Sequence, residues 1–306
     1  MCGGCKEQKI TMSRIAILTG GSGSEREVSL RSAKHIEEIL RSYYEVTVFD
    51  FPKDREIFLL QRHLFSLAIP LIHGKGGEDG TLQGFLETLD IPYLFSGIQS
   101  HAIALDKEKT KILVEHHGIR IPKSITLRKG ESTTYNHSVV VKPLDGGSSV
   151  ATSIVHSQGE LDRALEAAFA ESEYVLVEDF IEGQEFTVAV IEENGQPMVL
   201  PVILIQSEQG LFDYASKYDP EHLAQEICPA PIARDFSGRL QEIASKAHLV
   251  LHCRHMSRTD IIVDRDGQAW FLEINTIPGM TQTSLVPKAI TASGRTIVEV
   301  FRQWFS

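Results

Sequence analysis

The chain lacks the features that would place it in several large classes. Its longest apolar stretch, residues 198–205, is interrupted by Pro201, far short of the roughly 20 residues that span a membrane. The N-terminus has no apolar core of the kind a signal peptide carries. Cysteine is scarce, at 2, 5, 228 and 253. Cys2 and Cys5 form one CxxC with no second pair to complete a zinc site, and residues 1–11 read as an extension that the fold does not need. The expectation is a cytoplasmic protein with reduced thiols. Positive charge is also short: 30 Lys and Arg stand against 41 Asp and Glu, for a net charge of −11. Such a chain gains little from counterion release, which argues against nucleic acid as a partner. No G-x-x-x-x-G-K-[ST] occurs, so this is not a P-loop protein. Gly21-Ser22-Gly23 begins a dinucleotide fingerprint, but Arg26 stands where its last glycine belongs.

What is present is a soluble balance, 42% apolar and 23% charged, over 306 residues, enough for two or three domains. Strand-like runs at 14–20, 46–49 and 67–72 alternate with helical periodicity, which predicts a small parallel sheet over residues 1–102. Ser24 and Glu27 fit a capping box opening the first helix. Residues 103–182 read as a compact α+β unit, with a strand at 138–142 running into the loop 143–149 (PLDGGSS). Residues 183–306 read as antiparallel strands with helices. Asn194-Gly195 is a hairpin signal there. Residues 206–220 have no period, and a loop of that length suggests function.

The most informative pair of segments is 258–264 (RTDIIVD) and 268–275 (QAWFLEIN). With Asp266-Gly267 as a two-residue tip, Asp260 falls opposite Glu273 and Arg258 opposite Asn275, all on one face. Two opposed carboxylates repel unless neutralised. A hard divalent cation does this best, since Asp, Glu and Asn all offer oxygen ligands. Arg258 acting as an ion-pair partner, or a register one residue different, are the alternatives. Lys142 closes an apolar strand and precedes a glycine-rich loop whose N–H groups suit an anion. Lys107 lies in another segment, where solvated surface is the alternative. Glu25 follows the first glycine loop and could hold an ammonium or simply complement a helix N-terminus. His248, His252, Cys253 and His255 cluster in the sequence, either as zinc ligands or as ordinary helix histidines.

Six ordered motifs carry a resemblance: 20–30 (GGSGSEREVSL), 73–84 (HGKGGEDGTLQG), 142–150 (KPLDGGSSV), 213–218 (DYASKY), 273–275 (EIN) and 278–287 (PGMTQTSLVP). Together they resemble the D-alanine–D-alanine ligases of the ATP-grasp superfamily, over nearly the whole chain from Arg14. The resemblance implies an ATP-grasp fold, a parallel α/β domain followed by central and C-terminal α+β domains. It implies ATP-dependent joining of two D-alanine molecules through a D-alanyl phosphate, for peptidoglycan precursor synthesis, in a homodimer. On it, Glu25 and His73 hold the first D-alanine, and Ser284 and Leu285 the carboxylate of the second. Lys107 and Lys142 meet ATP phosphates, Lys217 also binds ATP, Glu178, Asp179, Phe180 and Ile181 border the adenine, and Glu185 accepts from the ribose. Asp260, Glu273 and Asn275 bind two Mg²⁺ or Mn²⁺. Arg258 and the Gly279 N–H serve an oxyanion, and Ser148 and Tyr218 belong with Glu25 to a hydroxyl network. The loop 206–220 would close over the intermediate. The sequence departs from its relatives at Asp179, often basic there, and at His255-Met256-Ser257, where glycines are common. A D-alanine–D-lactate ligase and a non-catalytic ATP-binding sensor are the rival readings; Tyr218 favours an amine as second substrate.

Overall fold

The structure is a computed structural model and describes residues 13–147, 150–206 and 224–305. The first part contains β1 (Arg14–Gly20), α1 (Arg26–Leu40), β2 (Glu45–Phe51), α2 (Arg55–Gln61), β3 (Leu67–Pro70) and α3 (Thr81–Thr88). The strands form a parallel sheet in the order β2-β1-β3. β1 is buried on both faces, which explains its unbroken apolar run. Ile15 and Ile17 pack on Ala33, Ile36 and Leu40 of α1. Ala16 and Leu18 face the other way, into a cluster with Phe49, Phe51 and Phe58.

α1 does not open with the expected capping box. It starts at Arg26, its flanking residue is Glu25, and no side chain caps it. The Arg26 N–H bonds instead to the Gly23 carbonyl in the preceding turn, so Ser24 sits before the helix and cannot reach its third N–H. A true capping box occurs later, between Ser157 and Glu160.

α4 (Ile98–Leu105) and α5 (Lys107–His116) lead into a four-stranded antiparallel sheet. Its strands are β4 (Ser124–Arg128), β5 (Val139–Pro143), β6 (Ser153–Val155) and, after α6 (Gln158–Glu171), β7 (Tyr174–Asp179), in the order β4-β7-β5-β6. α6 covers one face through Leu161, Ala164, Leu165 and Ala168.

The third sheet holds β8 (Gly183–Glu193), β9 (Gln196–Val199), β10 (Ile203–Gln206), β11 (Gln225–Ile227) and, beyond α7 (Arg234–Val250), β12 (Met256–Asp264) and β13 (Ala269–Asn275). Its order is β11-β10-β8-β12-β13, with β9 also on β8. The β8–β9 hairpin turns at Asn194 and Gly195, both with positive φ (+52° and +72°), as a two-residue primed turn requires. α8 (Leu285–Ala292) and α9 (Ile297–Arg302) finish the chain. Among the described residues no helix is long and apolar enough to cross a membrane.

The β12–β13 tip is one residue longer than expected. The Asp264 N–H bonds to the Gln268 carbonyl and the Gly267 N–H to the Asp264 carbonyl, with Gly267 at φ +73°. That turn alone would set Asp260 opposite Leu272. A β-bulge between Asp260 and Ile261 restores the offset, so that Asp260 pairs with Glu273 and Arg258 with Asn275. The expected facing of these side chains holds, reached through a longer turn and a compensating bulge. Bulges of this kind commonly re-aim a side chain beside an active site.

Candidate active site

Two cavities meet at Glu273, which lines both. The first lies between the second and third sheets. Its walls include Lys107, Lys142, Gly146, Gly147, Glu178, Asp179, Phe180, Ile181, Glu185, Asp260 and Glu273. The second lies between the third sheet and the first. It is lined by Glu25, Arg31, His73, Glu78, Arg258, Glu273, Asn275, Gly279, Ser284 and Leu285, among others. Every residue to which the family resemblance gives a role, and that falls in the described regions, therefore lines one cavity or the other. Ser148, Lys217, Tyr218 and the segment 213–218 lie outside the described residues.

The first cavity is rich in buried charge. Lys107 is the first residue of α5, whose N-cap Asp106 accepts from the Lys109 N–H. Its ammonium donates to the Gly146 carbonyl and stands 3.9 Å from Glu273 Oε2. Burial pulls the Lys107 pKa down, against the pull of Glu273. Lys142 is the penultimate residue of β5 and pairs with Glu178. Burial is the largest single influence on Lys142 and lowers it. Glu178, Glu273 and Glu185 together outweigh it, so its pKa is raised. Phe180 meets His156 edge-on at 6.2 Å, and the Asp179 carboxylate takes a 2.8 Å contact from His137 Nε2.

On β12, Arg258 forks onto Asp260, with Nε to Oδ1 at 3.0 Å and Nη2 to Oδ2 at 2.8 Å. The Thr187 hydroxyl donates to Asp260 Oδ1 at 2.5 Å, and Asn275 Nδ2 lies 3.5 Å from Oδ2. The ion-pair alternative for Arg258 is thus realised without removing Asp260 from the cavity wall. Among the described residues no group of three or more His, Cys, Asp or Glu could hold a metal ion. The candidate set is two carboxylates and an amide, Asp260, Glu273 and Asn275. These are hard oxygen donors on facing strands, and their chemistry fits Mg²⁺ or Mn²⁺.

In the second cavity, Glu25 stands at the mouth of α1. Its carboxylate abuts two glycines: a Cβ on Gly147 would meet Glu25 Oε2 at 2.3 Å, and one on Gly74 at 2.9 Å. His73 Nδ1 donates to the Ile277 carbonyl at 3.0 Å, which leaves Nε2 to accept from the Ser32 hydroxyl at 3.2 Å. Burial, opposed by Glu25, lowers its pKa, so His73 is a neutral ring. Glu78 accepts from the N–H groups of Gly74 (2.8 Å) and Ile277 (3.2 Å). Burial, and then the charge of Glu25, push its pKa up to about 8. Ser284 stands at the N-cap position of α8 without a side-chain bond to the helix; its hydroxyl accepts from the Thr281 N–H at 3.0 Å instead. The helix start directs the N–H groups of Leu285 and Val286 outward, an arrangement that suits an anion.

Sequence reasoning missed Glu78, Thr187 and Lys111. Glu78 lay inside a quoted motif, and Lys111 follows Lys107 by one helical turn. Thr187 carries no signal in an apolar strand. The histidine cluster is no metal centre: His248 Nδ1 bonds to Ser257 Oγ at 2.8 Å, and His255 Nδ1 accepts from the Phe95 N–H at 2.8 Å.

A cavity between two antiparallel α+β layers, walled by lysines and closed by a carboxylate pair, defines an ATP-grasp enzyme. Residues 109–304 match the family model described as D-ala D-ala ligase C-terminus. The chain is 42% identical over 299 residues to a D-alanine–D-alanine ligase of Syntrophotalea carbinolica, covering 96% of each. Its structure is similar to that of D-alanyl-alanine synthetase A from Vibrio cholerae, with TM-score 0.85 and 26% identity, covering 97% of this chain and 98% of that one. It is also similar to the Bacillus anthracis D-alanine–D-alanine ligase complexed with ATP, with TM-score 0.81 and 30% identity, covering 95% of each. The chain belongs to the D-alanine–D-alanine ligase family.

Proposed function

We propose that this protein joins two D-alanine molecules with ATP, through a D-alanyl phosphate, in the synthesis of peptidoglycan precursor. The observation that carries the reading is the shared wall at Glu273, which sets a cavity lined by Lys107 and Lys142 against one lined by Glu25, His73 and Arg258. Family membership supports it, and so does the ATP-bound relative.

In this reading a carboxylate oxygen of the first D-alanine attacks the γ-phosphorus and ADP leaves. Lys107 and Lys142 neutralise charge on the phosphates. Glu178 to Ile181 border the adenine and Glu185 takes the ribose hydroxyls. Asp260, Glu273 and Asn275 would hold two divalent cations, Mg²⁺ or Mn²⁺, which when bound supply charge neutralisation between the phosphates and the acidic wall. Glu25, with neutral His73 beside it, holds the ammonium of the first D-alanine. Ser284 and Leu285, at the start of α8, hold the carboxylate of the second. The neutral amine of the second D-alanine attacks the acyl carbon; the C–N bond forms, the C–O bond breaks as phosphate leaves, and one proton of the amine passes to that phosphate. Arg258 and the Gly279 N–H are the donors for the developing oxyanion. Ser148, Lys217 and Tyr218 keep the roles that the family resemblance implies. The reading includes a cytoplasmic homodimer, which light scattering on the purified protein tests.

The deciding assay is phosphate release from ATP and Mg²⁺ with D-alanine alone, L-alanine alone, or D-alanine with D-lactate, with products weighed by mass spectrometry. Release that requires D-alanine and yields the dipeptide is the expected result. Release only with D-lactate present would move the chain to depsipeptide synthesis. No release under any condition would refute ligation.

A further inference from the structure

The wall beside the nucleotide cavity contains one more buried lysine than the reading above uses. Lys107 opens α5, and Lys111 follows four residues later on the same face. Lys109, between them, is an exposed partner of Asp106. Lys111 is only 1% exposed and stands behind the lining of the cavity. Burying an ammonium is costly unless it is paired. Lys111 Nζ donates to Glu178 Oε2 at 2.6 Å, while the other oxygen of Glu178 accepts from Lys142. Glu178, 2% exposed, sits on β7 opposite Val140. It is thereby placed diagonally from Lys142 on the neighbouring strand and bridges the two lysines.

We propose that Lys111 is a positioning residue that shares the charge of Glu178, so that Lys142 keeps a net positive field toward the anionic ligand in the cavity. The inference rests on the reading that phosphates bind at Lys107 and Lys142. Two lysines on one glutamate leave the triad a single surplus positive charge. Without Lys111, Glu178 and Lys142 form a closed neutral pair. The cavity then presents Glu185 and Glu273 to a polyanion, Asp260 being paired with Arg258, and among the described lysines of its lining Lys107 alone keeps its charge unquenched by Glu178. Burial lowers the Lys111 pKa to about 8, which keeps it mostly protonated at neutral pH, and Glu178 is held below the usual carboxylate range because its two lysines overcome its burial. The role is electrostatic: Lys111 reaches the ligand only through Glu178 and Lys142.

The test is ATP binding by calorimetry with Mg²⁺, on the wild type, Lys111→Met and Lys111→Arg, together with steady-state KM for D-alanine. Lys111→Met should weaken ATP binding about tenfold or more and leave KM for D-alanine within about twofold. Lys111→Arg, which keeps the charge, should bind ATP within about threefold of wild type. A role in packing alone would instead make Lys111→Arg no better than Lys111→Met. That result, or wild-type affinity in Lys111→Met, overturns the proposal. If Lys111→Met does not fold, Lys111→Gln takes its place with the same expectation. If no uncharged variant folds, the triad is a structural ion cluster and the proposal fails. A wild-type protein that does not bind ATP would sink the proposed function itself, a separate outcome.

Discussion

Alanine at Gly147 tests the placement of Glu25 without touching Glu25. Gly147 has no left-handed backbone to protect, and the new methyl would meet Glu25 Oε2 at 2.3 Å and Oε1 at 3.2 Å. Ordinary contact begins about 1 Å further out, so the carboxylate or the loop must move by about that much. A misplacement of about 1 Å at a reacting centre can cost about 100-fold in rate, or about 2.7 kcal/mol of activation free energy. The expected result is a loss of about 100-fold in kcat/KM for D-alanine at saturating ATP, in a protein whose thermal midpoint is within a few degrees of wild type. Gly23→Ala is the control, because a Cβ there meets nothing within 4 Å, and it should stay within about threefold. The assay is coupled phosphate release over a D-alanine titration. A Gly147→Ala enzyme with wild-type kcat/KM would refute the claim that the first substrate depends on where Glu25 stands.

Glu273→Gln should abolish turnover at any Mg²⁺ concentration while circular dichroism and melting stay near wild type; normal turnover would remove Glu273 from the metal-binding set. Stability should fall as the pH drops from 7 toward 5. Burial, and then the charge of Arg254, hold His255 down to about 4 and His101 to about 3, whereas an unfolded histidine takes its proton near 6.5. The unfolded chain therefore binds more protons in that window, and the stabilising neutral state, fully present above 7, is lost as the pH falls. Urea midpoints at pH 7 and 5 measure this, and His255→Gln should flatten the decline. Phe58→Ala should cost about 3–5 kcal/mol in urea unfolding, because Phe58 is fully buried and packs against Phe49 at 5.2 Å and Phe51 at 5.6 Å. A loss under 1 kcal/mol would contradict the packing.

The parallel sheet was legible because β1 is buried on both faces and its apolar run shows it. The β8–β9 hairpin was legible because Asn194-Gly195 admits the two positive φ values. The β12–β13 pairing is a subtler case. Asp266-Gly267 pointed to a hairpin in the right place, but a glycine in the left-handed region serves a three-residue loop as well as a two-residue one. The facing of Asp260 and Glu273 depends on a bulge at Leu272 that no local residue announces. The Ser24 capping box failed because the same residue types suit the turn before the helix. Lys107, Lys109 and Lys111 look alike in the chain; tertiary contacts bury the first and third and leave the second in water. The meeting of two cavities at Glu273 joins segments more than 200 residues apart, Glu25 and Glu273 among them, and only the fold brings them together.

Ligation through an acyl phosphate requires that phosphoryl transfer activate the carboxylate of the first D-alanine. D-alanine labelled with ¹⁸O in both carboxylate oxygens, turned over with ATP and Mg²⁺, tests it most directly. One labelled oxygen is expected in each phosphate released and one in the peptide carbonyl of the dipeptide. Phosphate free of label, with dipeptide still formed, would contradict it.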